Sequence, residues 1–461
     1  MAEPSDLSEE VHLADVAAAI QPWQTPSIVS LPTETLLEIF KLVSLDPRYD
    51  INGRIGTVCE VMQDFASVCP KFFDVLTLVP EYWTFIGLRP LRSSRCRSFF
   101  AEYPSLLERI FEASRDLQFE IAVYNPREVA LDRLKKETER LQVTRIVKAL
   151  SLHLSRCTCL HVETRYRSSI LNSIPHLSGL AAPNLRRFQL ISGEADSTDG
   201  LRLDSLNLPR LRYLTIDTCS FINLSSATMS ASHEGEETSL YVHLMPFSSS
   251  LSADAVLHAL TALDKRYTIV DLFMEHHLFD GPPQNLPVPI RHFSSIAFAD
   301  IRDNMGFFPA LLSNFRSTDT VTFHTCHLFC PMTIDADRLL LNQISKDSDL
   351  RHALSSWTGT QLHVTCCKSF NDDLLDAMAI LGTTAEKRSV LCPRLETLII
   401  EDCECFSYDS LLRMVEAREP PLLTLDIRGN TCKMDYSAAR TLGHSVDEIH
   451  FETANVIMDD Y

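Results

Sequence analysis

The chain has 461 residues, 45% of them hydrophobic and 22% charged, and its 61 acidic side chains outnumber the 42 basic ones, for a net charge of −19. This composition excludes a disordered protein, and no run of about 18 apolar residues is present that would span a membrane. The acidic balance argues against a broad nucleic-acid surface, which needs clustered Lys and Arg. The acidic start fits neither a secretory signal nor a mitochondrial presequence, so we expect the 14 cysteines to be reduced thiols of a cytoplasmic and/or nuclear protein.

The first part of the chain divides into three segments. An acidic tail, 1–27, is predicted to be partly disordered. In 28–88, three short stretches have apolar residues at helical spacing, and the aromatic, β-branched end indicates a strand. Because such short helices bury little area, this module is expected to need a partner or the chain that follows it. A linking segment of helix and strand, 89–150, comes next.

Beyond residue 150, short apolar strands recur with a period of roughly 25–28 residues, within the 20–29 of leucine-rich repeats. The predicted strands are 159–163, 187–192, 213–217, 241–245, 268–273, 295–300, 320–324, 361–365, 397–401, 424–428 and 448–452. A Cys or Asn stands three residues after an aligned apolar position in five of them, at Cys219, Cys326, Cys367, Cys403 and Asn430. We therefore predict a degenerate leucine-rich-repeat array over 151–461, with insert loops at 225–239 and 281–289.

The module at 28–88 resembles an F-box, the motif by which substrate receptors join cullin–RING ubiquitin ligases. The resemblance is carried by Leu31-Pro32 with the apolar helix after it, by Val68-Cys69 with Phe72, and by the segment that ends in Trp83, as in fungal F-box proteins. In that family these apolar positions face the small adaptor subunit, which bridges to the cullin. The resemblance therefore implies that the adaptor is bound by Leu31, Pro32, Leu36, Leu37, Ile39, Phe40, Val68, Cys69, Phe72 and Trp83.

The outward-pointing strand residues are the expected target-binding surface. Successive side chains of a strand point to opposite faces, so the predicted register leaves one set outside the core. That set includes Thr215, Asp217, His324, Glu401 and Asp426. Three of these five residues are acidic, which favours a target with a basic contact surface.

Two clusters raise the question of catalysis. Potential zinc ligands are close together at His324, Cys326, His327 and Cys330. The repeat pattern already accounts for the cysteine at 326, and no second ligand pair lies at zinc-finger spacing, so neither metal nor cofactor is expected. Glu275-His276-His277 suggests acid–base chemistry, but no nucleophile can be placed beside it. The sequence also lacks GxGxxG, GxSxG, HExxH and P-loop motifs.

The sequence thus predicts an α/β protein in which small all-α F-box helices precede a leucine-rich-repeat solenoid. The expected function is that of a non-catalytic, substrate-recruiting subunit of an SCF-type ubiquitin ligase. Its expected partners are the adaptor, through it the cullin, and an unknown target protein, with no nucleic acid and no membrane. Two alternatives stay open: a leucine-rich-repeat interaction scaffold without a ligase role, and an unrecognised metal-dependent enzyme with its site at 324–330.

Overall fold

A computed structural model describes residues 28–44, 56–88, 104–124, 135–201, 206–226, 239–246, 250–265, 267–280, 290–303, 306–379, 391–418, 421–429 and 436–451. The predicted tail 1–27, the loop 281–289 and most of the loop 225–239 lie outside these residues. The chain divides into two compact units. The first comprises Met1–Ile86 with Glu112–Leu117, and the second comprises Gly87–Phe111 with Gln118–Tyr461.

Thirteen α-helices lie in the described residues. They are α1 (Thr33–Ser44), α2 (Gly56–Val68), α3 (Pro70–Leu76), α4 (Pro104–Ala113), α5 (Lys136–Ser151), α6 (Arg167–Ser173), α7 (Thr218–Ser226), α8 (Ala253–Asp264), α9 (Phe307–Ser313), α10 (Asp347–Leu354), α11 (Asp372–Ala379), α12 (Tyr408–Glu416) and α13 (Tyr436–Ser445). Local chemistry explains several starts. Proline opens α3, where its missing N–H is not needed, and the hydroxyls of Ser252 and Ser407 accept backbone N–H groups at the starts of α8 and α12.

The strands in chain order are β1 (Phe85–Leu88), β2 (Phe119–Tyr124), β3 (Cys157–Tyr166), β4 (Arg187–Glu194), β5 (Tyr213–Asp217), β6 (Ser239–Met245), β7 (Leu251–Ser252), β8 (Thr268–Glu275), β9 (Phe279–Asp280), β10 (Ile290–Ala299), β11 (Arg302–Asp303), β12 (Phe315–His324), β13 (His327–Leu328), β14 (Ala336–Asn342), β15 (Gln361–Thr365), β16 (Thr397–Glu401), β17 (Thr424–Arg428) and β18 (Glu448–Phe451). Fourteen of them form one parallel sheet whose order follows the chain. The other four form two small pairs, β7 with β9 and β11 with β13.

The individual strand predictions beyond residue 150 are confirmed, since each predicted segment overlaps a strand of the large sheet. The alternation is also as expected. In β12, for example, Val321 and Phe323 are buried, whereas Thr322 and His324 on the other face are accessible.

The predicted fold class, small all-α F-box helices followed by a leucine-rich-repeat solenoid, is wrong. The finding that overturns it is a broad α/β fold built on one 14-stranded parallel sheet. The strand predicted at the end of 28–88 is present as β1, and the linking segment 89–150 supplies β2. Both strands belong to the large sheet, so 28–88 does not form an all-α module. The spacing between strand starts is irregular as well. The interval from Phe119 to Cys157 is nearly twice that from Phe315 to Ala336, and the unpredicted β14 begins at the latter residue.

The exits of several strands share one backbone feature. The residue after β8, β10, β12, β14, β15 and β16 has a positive φ, and its N–H donates to the last carbonyl of the next strand at 2.8 to 3.1 Å. These residues are His276, Asp300, Thr325, Gln343, Cys366 and Asp402. The left-handed residue therefore adds one more hydrogen bond between neighbouring strands. It also turns the chain out of the sheet, and it does so at the same position along each of these strands.

No helix within the described ranges is both long enough and apolar enough to cross a membrane.

Candidate interaction sites

The F-box-like residues of the first unit divide into an interior group and an accessible group. The interior group consists of Leu36, Phe40, Phe72 and Trp83, all at most 4% exposed. The ring centroid of Phe40 lies 5.2 Å from that of Phe72 in an edge-on arrangement, and the indole N–H of Trp83 donates to the carbonyl of Leu76 at 3.1 Å. These four side chains belong to the core of the unit, which leaves them almost no accessible surface for the adaptor that the sequence interpretation assigned to them.

The accessible group holds the other six residues of the motif. Pro32 and Val68 are exposed, and Leu31, Leu37, Ile39 and Cys69 are half-buried. The ammonium of Lys71 donates to the backbone carbonyls of Val29 and Leu31 at 2.8 and 2.7 Å, which fixes the chain just before α1. The interior group of the motif therefore holds the helices in place, and the accessible group lies on the surface of the same helices or directly beside them.

Sequence reasoning missed further exposed apolar residues of the same unit. Leu42 is 70% exposed and Leu78 is 52% exposed, beside 66% for Val68. Ile28 and Val29 also reach the surface. The sequence contains a signal for this surface, because Leu42 is apolar but does not lie on the face of α1 that the buried Leu36 and Phe40 define.

The second unit carries a pocket of about 350 Å³ on the accessible face of the sheet, across β4, β5, β6, β8 and β10. The residues that line it include Tyr213, Tyr241, His243, Asp271 and Phe273. The two tyrosines are stacked with centroids 4.8 Å apart at 14°, and the rings of His243 and Phe273 lie 4.6 Å apart. Tyr213 and Tyr241 are 40% and 37% exposed, so two aromatic rings are presented to solvent beside a cavity.

The charged groups at this pocket are carboxylates. Burial raises the pKa of the Asp271 carboxyl above its ordinary value, and no cation is described beside it. His243 lies 3.4 Å from Glu275, but burial outweighs the attraction of that carboxylate and lowers the imidazole pKa. His243 is therefore neutral near neutral pH and does not balance the carboxylates.

Three of the predicted target-binding residues are buried. Thr215 lines the pocket and accepts a hydrogen bond from Gln189 at 3.4 Å. Asp217 pairs with the fully buried Arg167 at 3.3 Å, and Asp426 is covered by Arg428 at 2.5 Å. Neighbouring arginines therefore cover both carboxylates, which the sequence interpretation expected at an accessible target-binding surface.

The remaining two predicted target-binding residues are half-buried. His324 and Glu401 lie on the accessible face of the sheet. A carboxylate oxygen of Glu401 lies 3.1 Å from the imidazole of His363 and accepts from the hydroxyl of Thr365 at 3.4 Å. These residues stay available for contact, away from the pocket on β4 to β10.

The residues considered for metal binding at 324–330 have separate surroundings. Cys326 is buried, and its thiol donates to the carbonyls of Phe298 and His324 at 3.4 Å. The imidazole of His327 lies 3.4 Å from Asp349. In the part of the chain that the structure describes, no group of three or more His, Cys, Asp or Glu side chains is placed to hold a metal ion.

The Glu275-His276-His277 segment does not converge on one point either. Its first residue lies near His243, and its second pairs with Asp300 at 2.7 Å. The imidazole of His277 is buried against the Thr218 hydroxyl, 3.0 Å away, and burial lowers its pKa to about 4. These partners account for each residue structurally.

A scan of protein-family models and a search of curated proteins both find no match for this chain. The two accessible surfaces, one on the first unit and one on the sheet of the second, are therefore the observations that bear on function.

Proposed function

We propose that the protein is a non-catalytic subunit that recruits a target protein to an SCF-type ubiquitin ligase. Its first unit binds the adaptor subunit, and through it the cullin, and the accessible face of the sheet binds the target. The observation that carries the proposal is the division of the F-box-like motif. Its buried half builds the unit, while Val68, Pro32 and their half-buried neighbours stay open to a partner.

In this mechanism the chain itself makes and breaks no bond. It holds the target beside the ligase, and the ligase's other subunits deliver ubiquitin, so its contribution is proximity and orientation. The proposal includes a cytoplasmic and/or nuclear location and no contact with nucleic acid or membrane. The free thiols throughout the described chain support such a reducing compartment.

Binding of the purified full-length chain to an SCF adaptor subunit tests the proposal. Val68→Asp introduces a charge into the accessible half of the motif without disturbing the core, because the native side chain is 66% exposed. We expect it to weaken adaptor binding by at least about tenfold, as for an interface anchor. The midpoint of thermal unfolding should stay close to that of the wild type, since surface substitutions cost little stability.

Leu152→Asp is the matched control, because Leu152 is equally apolar and 74% exposed but belongs to the second unit. Its adaptor affinity should equal that of the wild type. Absence of adaptor binding by the wild-type chain, or equal binding by Val68→Asp, contradicts the ligase role. Either result favours the alternative of an interaction scaffold without a ligase role.

A further inference from the structure

A row of side chains crosses the accessible face of the sheet at one level. The parallel register aligns Arg187 of β4 with Tyr213 of β5, Tyr213 with Tyr241 of β6, and Tyr241 with Asp271 of β8. Neighbouring strands lie about 4.8 Å apart, which is a suitable distance for stacking of planar groups. The observed separation of the two tyrosine rings is 4.8 Å.

One end of this row already binds a cation. The guanidinium carbon of Arg187 lies 5.3 Å from the centroid of Tyr213, which is cation–π distance. The chain's own arginine therefore shows which chemical group the tyrosine stack accepts.

The other end of the row is open. The next residue in the row, Asp271, has a short side chain, and it lines the 350 Å³ pocket together with Tyr241 and Phe273. No cation of the described chain compensates the Asp271 carboxylate, and burial raises its pKa, so the ionised form gains from a positive partner. The ring of Tyr241 and the carboxylate of Asp271 thus lie at the same cavity. At the first end of the row Arg187 supplies a cation, and within the described chain no cation takes that place here.

We propose that this pocket receives an arginine side chain of the recruited target, with its guanidinium stacked on Tyr241 and paired with Asp271. The inference rests on the proposed function, because it names the chemistry of the target. Arginine fits better than lysine, since its planar guanidinium stacks on a ring while its N–H groups bind a carboxylate in a bidentate manner. The acidic charge of the whole chain also favours the approach of a basic segment.

The test is a titration of the full-length chain with the peptide acetyl-Ser-Gly-Arg-Gly-Ser-amide, followed by saturation-transfer NMR. The same peptide with citrulline keeps the shape but not the charge, and we expect it to bind at least about fivefold more weakly. The lysine peptide should bind more weakly than the arginine peptide. Asp271→Asn and Tyr241→Leu should each weaken binding of the arginine peptide about fivefold or more.

The matched control is Glu448→Gln, a carboxylate of the last strand that pairs with His450 at 3.1 Å and lies outside the pocket. Its peptide affinity should be unchanged. Equal binding of the arginine and citrulline peptides, equal binding of the lysine peptide, or unchanged affinity in Asp271→Asn would each overturn the inference. The titration contains no adaptor, so peptide binding can be measured even if the proposed ligase role is wrong.

Discussion

Arg167 and Asp217 show how a single pair can change the role of a residue. The guanidinium of Arg167 is fully buried and donates to the carbonyls of Ser197 and Asp199 and to the hydroxyl of Ser220. Asp217 in turn accepts from the N–H and the hydroxyl of Ser220 at 2.9 and 2.7 Å. The carboxylate therefore belongs to the interior network that ties the end of β5 to the start of α6 and α7.

Removing that carboxylate should destabilise the fold. Asp217→Ala leaves the Arg167 charge buried without its counter-charge, and we expect the free energy of unfolding to fall by about 3–5 kcal/mol. Urea denaturation measures this change. Glu401→Ala, on the same sheet face but 35% exposed at its side chain, is the comparison and should cost less than about 1 kcal/mol. A similar small loss for both variants would contradict the role given to the buried pair.

At the scale of elements, buried thiols close the turns after several strands. The sulfur of Cys367 accepts the N–H of Ile344 at 3.3 Å, and the sulfur of Cys403 accepts the N–H of Cys367 at 3.4 Å. Each thiol also donates to a strand carbonyl, such as that of Leu341. The small, weakly polar Cys side chain satisfies these backbone groups while remaining inside the core.

We expect these thiols to resist alkylation in the native protein. Burial raises the pKa of Cys326 and Cys403 to about 12 and that of Cys367 to about 11, so at pH 8 the folded state holds almost no reactive thiolate. Mass spectrometry after a short iodoacetamide pulse at pH 8 should find them unmodified until urea is added. The exposed Cys405 is the internal control and should react at once. Rapid native labelling of the three buried thiols would contradict the described turns.

Cys219, which the sequence grouped with these thiols, is half-buried, and its pKa is raised mainly by desolvation. It is the second residue of α7, which starts at Thr218 directly after the strand, so it does not close a strand turn. We therefore expect it to label at a rate between those of Cys405 and Cys367. The same three-residue offset thus led to two different local structures.

The sequence predicted the strands well because alternation of apolar residues is a local signal. Strand β14 was missed, although Leu339 and Leu341 are buried in the expected alternation, because its start falls irregularly between β12 and β15. The pocket was not predicted either. It depends on the register that brings Tyr241 beside Asp271, two residues 30 positions apart, and on the small volume of the latter side chain. Burial of Asp426 under Arg428 likewise depends on a side-chain conformation that periodicity does not encode.

At the scale of the molecule, the large sheet should not open as one unit. The ten-residue strands β10 and β12 are paired on both sides, whereas the four-residue β18 pairs only with β17 within the described chain. Because each strand contacts the next strands in order, opening can start at an end without breaking the centre.

Hydrogen–deuterium exchange of the native protein checks this expectation. Amides of β17 should exchange at least about tenfold faster than those of β15, a strand of the same length that lies further from the end of the sheet. Amides of β10 and β12 should be the slowest. Uniform protection of all fourteen strands would instead indicate a single all-or-none opening.

The agreement between strand order and chain order also bears on how such a protein changes over evolutionary time. Duplication or loss of one strand with its connection changes the strand number, yet no other strand has to find a partner elsewhere in the chain. The accessible face then grows or shrinks in steps of about 4.8 Å, the distance between neighbouring strands. Sites on distant strands, such as the pocket on β4 to β10 and the His363–Glu401 pair, are therefore separate positions that descendants could gain or lose independently.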